Sequence, residues 1–161
     1  MEYGDYESRT RHSPRSRTPP HDGDAPCRAC TNFKSLLKSK SGKATAVPKD
    51  CPLDRDQLGQ HTWSFLHTVA AYFPKKPSLE QQAGMKTFLD LLGKFYPCDH
   101  CAADFRTEME QSPPKVSSRE ALSQWMCEQH NIVNRKLGKK EFDCTKVLER
   151  WLHGPEDGSC G

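Results

Sequence analysis

The chain has 161 residues, 34% hydrophobic and 28% charged, with a net charge of +3. That length holds one ordinary domain plus an appendage and excludes two domains of the usual size. No apolar run approaches the roughly 20 residues needed to cross a bilayer. Met1 is followed by Glu2, Asp5 and Glu7 instead of a basic-then-apolar leader, so neither a membrane protein nor a standard secretory precursor is expected.

Charge and composition divide the chain near residue 50. Residues 1–50 carry ten Lys/Arg against six Asp/Glu, and residues 51–161 carry fourteen against fifteen. The near-neutral second part lacks the concentrated basic face of a dedicated nucleic-acid binder, and no nucleic-acid or membrane partner is expected. The first segment, rich in Arg, Ser and Pro from Arg9 to Pro20, cannot bury enough surface to offset its ordering entropy. Residues 1–49 are therefore read as a disordered basic tail and linker, in which Phe33, Leu36 and Leu37 can form one helical turn near Cys27 and Cys30. The ordered domain is placed at residues 50–161.

From there the apolar spacing is helical throughout. A first helix runs from Asp54 to Tyr72, with Leu58, Phe65, Leu66, Val69 and Phe73 on one stripe and Pro74 as its stop. A second opens on a capping box, Ser78 with Gln81, and carries Leu79, Ala83, Phe88, Leu89, Leu92 and Phe95 up to Pro97. A third begins at Cys98 and ends before Pro113. A fourth opens on a second box, Ser117 with Glu120, and carries Leu122, Trp125, Met126, Val133 and Leu137 to Gly138, a left-handed cap. A short fifth helix surrounds Val147, Leu148 and Trp151. Short connections imply antiparallel neighbours, so the fold class is all-α, a four-helix bundle with a short fifth helix.

Eight cysteines are many for a chain without an export signal. Two pairs have C-x-x-C spacing: Cys27 with Cys30 in the tail, and Cys98 with Cys101 at a helix start behind Pro97. Helical positions i and i+3 lie roughly 5–6 Å apart, within reach of a disulfide. The free N–H groups and dipole of a helix N-terminus favour a thiolate there, as thiol–disulfide exchange requires. A zinc-stapled interaction module fits the same spacing, with Cys98, Cys101, Cys127 and His130 as a Cys₃His set. Against zinc stands the company these residues keep. Cys127, His130, Asn131 and Asn134 share one helical face, as do Trp63 and His67 on the first helix. Such a face of indole, imidazole and amide suits a flat polar-edged ring, and Lys136, Lys139 and Arg150 beyond it suit phosphates.

The motifs His61-Thr62-Trp63 with Leu66-His67, Tyr96-Pro97-Cys98-Asp99-His100-Cys101 and Cys127-Glu128-Gln129-His130-Asn131 with Asn134, Lys136 and Gly138 carry a resemblance, joined by Asp143-Cys144, Arg150-Trp151 and Asp157-Gly158-Ser159-Cys160. Over roughly 111 residues the chain resembles the Erv/ALR family of FAD-linked sulfhydryl oxidases. Asp99-His100 is a departure, since relatives often carry acidic residues inside this pair, and it bears on the redox poise. The resemblance implies FAD held in the bundle, with contacts from Arg55, Gln60, His61, Trp63, His67, Cys127, His130, Asn131, Asn134, Lys136, Lys139, Arg150 and Trp151. It further implies Cys101 against the flavin ring and Cys98 as the accessible sulfur that receives attack. Cys27 and Cys30 resemble a shuttle pair that passes electrons to Cys98 and Cys101.

Four cysteines then remain, and they allow three pairings. Cys127 with Cys144 closes a loop of about 17 residues, worth on the order of 3 kcal/mol, and reads as structural. The resemblance implies that Cys51 and Cys160 join two subunits of a homodimer as reciprocal bridges. An intrachain clasp between the termini is the other reading. The family context implies the mitochondrial intermembrane space, with a cytosolic pool as a further location. There the import oxidoreductase would be the thiol substrate, and oxygen or cytochrome c the acceptor.

Overall fold

The computed structural model describes residues 51–160. The expectations placed on residues 1–50, including the tail, the turn at Phe33–Leu37 and the Cys27/Cys30 pair, lie outside the described residues. Among the described residues the regular structure is helical: α1 (Arg55–Tyr72), α2 (Leu79–Phe95), α3 (Asp99–Gln111) and α4 (Arg119–Lys136), then a 3-10 turn (Cys144–Lys146) and a π turn (Glu149–His153).

Local chemistry accounts for the helix ends. At α1, Asp54 Oδ1 accepts the Gln57 N–H at 2.8 Å and Gln57 Oε1 accepts the Asp54 N–H at 3.2 Å, satisfying two donors that have no partner within the helix. At α2 the box of Ser78 and Gln81 forms as the spacing predicts. Pro74 and Pro97 follow the ends of these two helices, where a proline cannot continue the hydrogen-bond ladder. The cap of α4 differs by one residue from expectation. Ser118, not Ser117, accepts from Ala121 N–H at 3.1 Å. Alanine then occupies the third helical position and has no side chain to complete a box. Gly138, at φ 65°, takes the left-handed conformation after α4. The short fifth helical segment is made of two successive turns, the first capped by Asp143, whose Oδ1 accepts from Thr145 N–H at 3.0 Å.

The helices pair by packing: α1 lies along α4 and α2 along α3, with the π turn against α1 and the 3-10 turn against α4. Leu66, Ala70, Phe73, Leu89, Met109, Val116, Leu122, Trp125 and Met126 form the core. Trp125 is fully buried, and its indole N–H donates to the Ser112 carbonyl at 2.9 Å, so the buried ring leaves no donor unmet. Arg119 Nε binds the Phe73 carbonyl at 2.7 Å and ties the start of α4 to the end of α1.

Five residues that the periodicity assigns to core stripes face outward instead, the small Ala83 and four larger groups. Phe65 is 56% exposed, Leu79 84%, Phe95 71% and Leu137 51%. The stripe of α1 that meets α4 is centred on Leu66, Ala70 and Phe73, which turns Phe65 and Tyr72 away from it. Phe65 meets Phe88 of α2 edge-on at 6.3 Å, so the outer sides of α1 and α2 carry exposed aromatic and aliphatic groups.

Leu122 is completely buried, so Leu122→Ala is expected to cost about 2–5 kcal/mol through lost transfer energy and a residual cavity. Trp125→Phe keeps most of the ring but strands the Ser112 carbonyl, for a loss of about 1–3 kcal/mol. Urea denaturation measures both, and unchanged midpoints would contradict this account of the core.

Candidate functional site

The site forms where α1 crosses α4. Trp63 and His67 stand one turn apart on α1, and His130 comes up from α4. The Trp63 ring lies flat on His130, with centroids 4.3 Å apart and planes 2° from parallel. His67 Nε2 lies 3.0 Å from His130 Nδ1, one imidazole donating to the other. On its other side His67 stacks on Trp151 of the π turn at 4.9 Å and 3°. The Arg150 guanidinium sits 4.4 Å over the Trp151 ring as a cation–π contact.

Electrostatics follow from this packing. Burial foremost, then the neighbouring His130 and Arg150, lowers the His67 pKa to about 3. Burial followed by Lys139 lowers that of His130 to about 4. Both rings are therefore uncharged near neutral pH. Each imidazole then has one N–H donor and one acceptor. His67 spends Nε2 on His130, and its buried Nδ1 has no hydrogen-bond partner in the chain. An unmet polar atom between aromatic planes is what a flat, polar-edged ligand would satisfy.

The remaining expected contacts have diverse surroundings. Asn131 clamps the segment after α4: its Nδ2 donates to the Phe142 carbonyl at 2.8 Å and its Oδ1 accepts the Phe142 N–H at 2.9 Å. It also accepts from Asn134 Nδ2 at 3.2 Å. Both halves of its amide thus act within the chain. Lys136 Nζ lies 3.0 Å from Glu108 Oε1 and 3.4 Å from Asp104 Oδ2, and these carboxylates raise its pKa. Lys139 is exposed beyond it, with its backbone N–H on the Asn134 carbonyl. On α1, Gln60 and His61 are exposed, and Arg55 Nε lies 3.6 Å from Asp56. Sequence reasoning missed the partners of Lys136. Their signal was two acids, Asp104 and Glu108, spaced i and i+4 on α3, which do not reveal a partner on another helix.

Two disulfides frame the site. Cys98 and Cys101 are bonded with Cα atoms 5.3 Å apart, and Cys127 and Cys144 with Cα atoms 5.7 Å apart. The second staples the 3-10 turn to α4 and so delivers Trp151 to His67. Three thiols of the zinc set are consumed by these bonds, and zinc needs thiolates, so the Cys₃His reading fails. Cys51 and Cys160 are both free, so the intrachain clasp is not formed. One expectation is reversed. Cys98, expected to be the accessible sulfur, is 1% exposed, and Cys101 is the half-buried one. The reason is position: Cys98 is the extended N-cap residue at the corner behind Pro97, while Cys101 stands in the first helical turn. His100, between them, is exposed and lies 3.9 Å from Asp104.

With the flat-ring face and the C-x-x-C helix in view, comparison with known proteins is decisive. Residues 60–152 match the model of the Erv1 / Alr family. The chain belongs to that family. The mitochondrial FAD-linked sulfhydryl oxidase ERV1 of Saccharomyces cerevisiae is 47% identical over 103 residues, covering 64% of this chain and 54% of that protein. The FAD-linked sulfhydryl oxidase ERV1 of Arabidopsis thaliana is 43% identical, covering 75% and 61%. The chain thus spans between half and two thirds of the length of these curated relatives. The crystal structure of the yeast Erv1 core superposes with a TM-score of 0.66 at 42% identity, covering 73% of this chain and all of that one. This Erv1 / Alr chain therefore shares the core fold, and its aromatic–imidazole face lies within the matched segment.

Stability should carry the signature of the buried imidazoles. Unfolded histidines titrate near 6.5, the folded His67 and His130 at about 3 and about 4. As pH falls the unfolded chain takes up protons first. Stability is therefore full above pH 6.5 and is lost below it, each histidine raising the unfolding constant by up to about tenfold per pH unit. Urea midpoints measured from neutral pH downward should fall, and fall less steeply in His67→Gln. An identical slope in that variant would show that His67 is not held neutral.

Proposed function

We propose that this Erv1 / Alr protein is an FAD-linked sulfhydryl oxidase that converts substrate dithiols to disulfides. The observation that carries the reading is the Cys98–Cys101 disulfide at a helix N-terminus, together with a face of stacked rings on which a buried ring nitrogen has no partner. The names of the relatives support it, as does the likeness, at TM-score 0.63 and 45% identity, to the crystal structure of the FAD-binding domain of yeast Erv1.

Bound FAD supplies the two-electron acceptor that returns the Cys98–Cys101 dithiol to its disulfide. Trp63, His67, His130 and Trp151 offer it ring faces and an unmet nitrogen, with both imidazoles neutral so that they accept as well as donate. Arg150, Lys139 and Lys136 are the cations for its phosphates, Lys136 by exchanging its bonds to Asp104 and Glu108. Arg55, Gln60, His61, Cys127, Asn131 and Asn134 complete the set, Asn131 by fixing the loop rather than by a free amide.

The thiol chemistry belongs to α3. A substrate thiolate attacks one sulfur of the Cys98–Cys101 bond, forming a mixed disulfide and releasing the other sulfur as a thiolate. A second substrate thiol, losing its proton, then displaces the enzyme sulfur, leaving a substrate disulfide and a reduced pair. Cys101 is the better leaving group. It stands in the first turn of α3, where free N–H groups and the dipole stabilise a thiolate, which directs attack to Cys98. Because Cys98 is buried, the attacking thiol has to be presented on a slender, extended segment. Cys27 and Cys30 are read as the shuttle pair between the substrate and Cys98.

Within the family we read the chain as resembling long-form augmenter of liver regeneration. That reading places it in the mitochondrial intermembrane space, where the import oxidoreductase would be the thiol donor and oxygen or cytochrome c the final acceptor. It is read as a homodimer in which Cys51 of each subunit bonds Cys160 of the other. Both thiols are free in the single chain, and exposed Phe65, Tyr72, Leu91 and Phe95 give α1 and α2 an apolar surface to bury.

The purified protein should be yellow and should consume oxygen or reduce cytochrome c with a small dithiol. Cys98→Ser and Cys101→Ser should stay yellow and lose turnover, and full activity in either would end the assignment. Cys27→Ser should spare activity toward the small dithiol but impair that toward a protein substrate. Non-reducing electrophoresis should give a dimer-sized band that Cys51→Ser abolishes.

A further inference from the structure

We propose that Asp104 acts through Cys101 as a positioning residue, its charge limiting how far the reduced Cys98–Cys101 pair settles as a thiolate. The functional consequence rests on the oxidase reading above. Helical spacing supplies the first observation. Asp104 follows Cys101 by three residues within α3, which puts their Cβ atoms about 5–6 Å apart on one face of the helix. Glu108 continues that stripe, about 10 Å of rise from Cys101, where solvent and salt screen most of its charge.

The second observation is what meets this carboxylate. Lys136 Nζ, from α4, lies 3.4 Å from Asp104 Oδ2, and His100 Nε2, from between the two cysteines, lies 3.9 Å from the same oxygen. The Asp104 side chain is 42% exposed, so water weakens its field without abolishing it. The other titratable groups at this end are Asp99 on α3, and Lys94 and Tyr96 at the end of α2, which packs along α3. Lys136 also holds Glu108 at 3.0 Å. When Lys136 turns to a phosphate, as proposed above, Asp104 keeps only the histidine, and its charge acts on Cys101 with the least compensation.

This charge pulls against the helix end. Free N–H groups and the dipole favour the Cys101 thiolate, which makes it a good leaving group. Favoured too far, the thiolate would leave the pair holding its electrons, because a stabilised reduced form is what makes a disulfide a strong oxidant. The second half of an oxidase cycle needs the opposite. From the dithiol, re-forming the S–S bond gives up two electrons and two protons, the electrons to the flavin. A carboxylate one turn from the sulfur raises the energy of the thiolate and so favours that step.

The test uses the full-length flavoprotein carrying Cys98→Ser, which leaves Cys101 as the sole thiol of the pair. Its alkylation by iodoacetamide is followed across a pH series from the mass of the Cys101 peptide. Adding Asp104→Asn should lower the midpoint by about half a pH unit, about threefold more thiolate, and Asp104→Lys should lower it further. Asp104→Glu, which keeps the charge, should stay within about 0.2 pH unit of the parent. Raising the ionic strength from about 0.02 to about 0.5 M should close about half of the gap opened by Asp104→Asn. With both cysteines present, in anaerobic glutathione buffers above the Cys101 midpoint, Asp104→Asn should be half-reduced at a ratio [GSH]²/[GSSG] about threefold lower than the parent. Should Asp104→Asn not fold, Asp104→Lys against Asp104→Glu gives the same reading. The inference is overturned if the midpoint in Asp104→Asn rises or stays within about 0.1 pH unit of the parent, if Asp104→Glu shifts as far as Asp104→Asn, or if the gap ignores salt. A colourless parent protein would instead overturn the oxidase reading, and the alkylation midpoint would still decide the role of Asp104.

Discussion

The bond between His67 and His130 constrains much of what surrounds it, because two imidazoles are buried together with a cationic guanidinium and an ammonium nearby. A charged imidazole in that setting would be costly to desolvate and would be repelled by Arg150 and Lys139, so both rings stay neutral. Neutral rings can stack closely on indoles, and here each does so, His130 on Trp63 and His67 on Trp151. The π turn that carries Trp151 has no side-chain cap at its start. The Cys127–Cys144 disulfide and the two bonds from Asn131 to Phe142 hold the preceding segment on α4. A structural disulfide thereby serves the site through an aromatic ring.

The other half of the molecule solves a different problem, how to break and remake a disulfide without disturbing the fold. Proline at position 97 ends α2, and α3 restarts directly behind it with the C-x-x-C pair across its first turn. Placing the reactive pair at a helix start lets the bond open without a change in backbone hydrogen bonding, since the first N–H groups of a helix have no internal partners. Stability is supplied farther along α3, where Met109 joins the core and Gly93 of α2 admits its close approach. Reactive and supporting parts of the same helix are thus separated by about two to three turns.

Polar satisfaction and apolar exposure point in opposite directions across the fold. On the core side Trp125 and Arg119 find backbone carbonyls left over at chain turns. On the outer side of α1 and α2, large apolar groups remain in contact with solvent in the single chain. A domain of this size has a modest core, and burying such a surface against a second copy adds to it.

The sequence by itself determined the helices, most of their caps and the chemistry at hand. Periodicity, capping residues and prolines act through contacts within four or five residues, so Ser78, Pro74, Pro97 and Gly138 announce their roles without the rest of the chain. The motif spacings were enough to assign the family. Tertiary structure alone decided which side of each helix faces inward, which is why Phe65, Leu79, Phe95 and Leu137 defied a stripe drawn from apolarity. It also decided that Cys98 is the sheltered sulfur, that Lys136 bridges to carboxylates of α3, and that Arg106 meets the carbonyl of Gly93. Those outcomes depend on crossing angles and on partners a dozen or more residues away, and a one-dimensional pattern records how often apolar groups recur, not what stands opposite them.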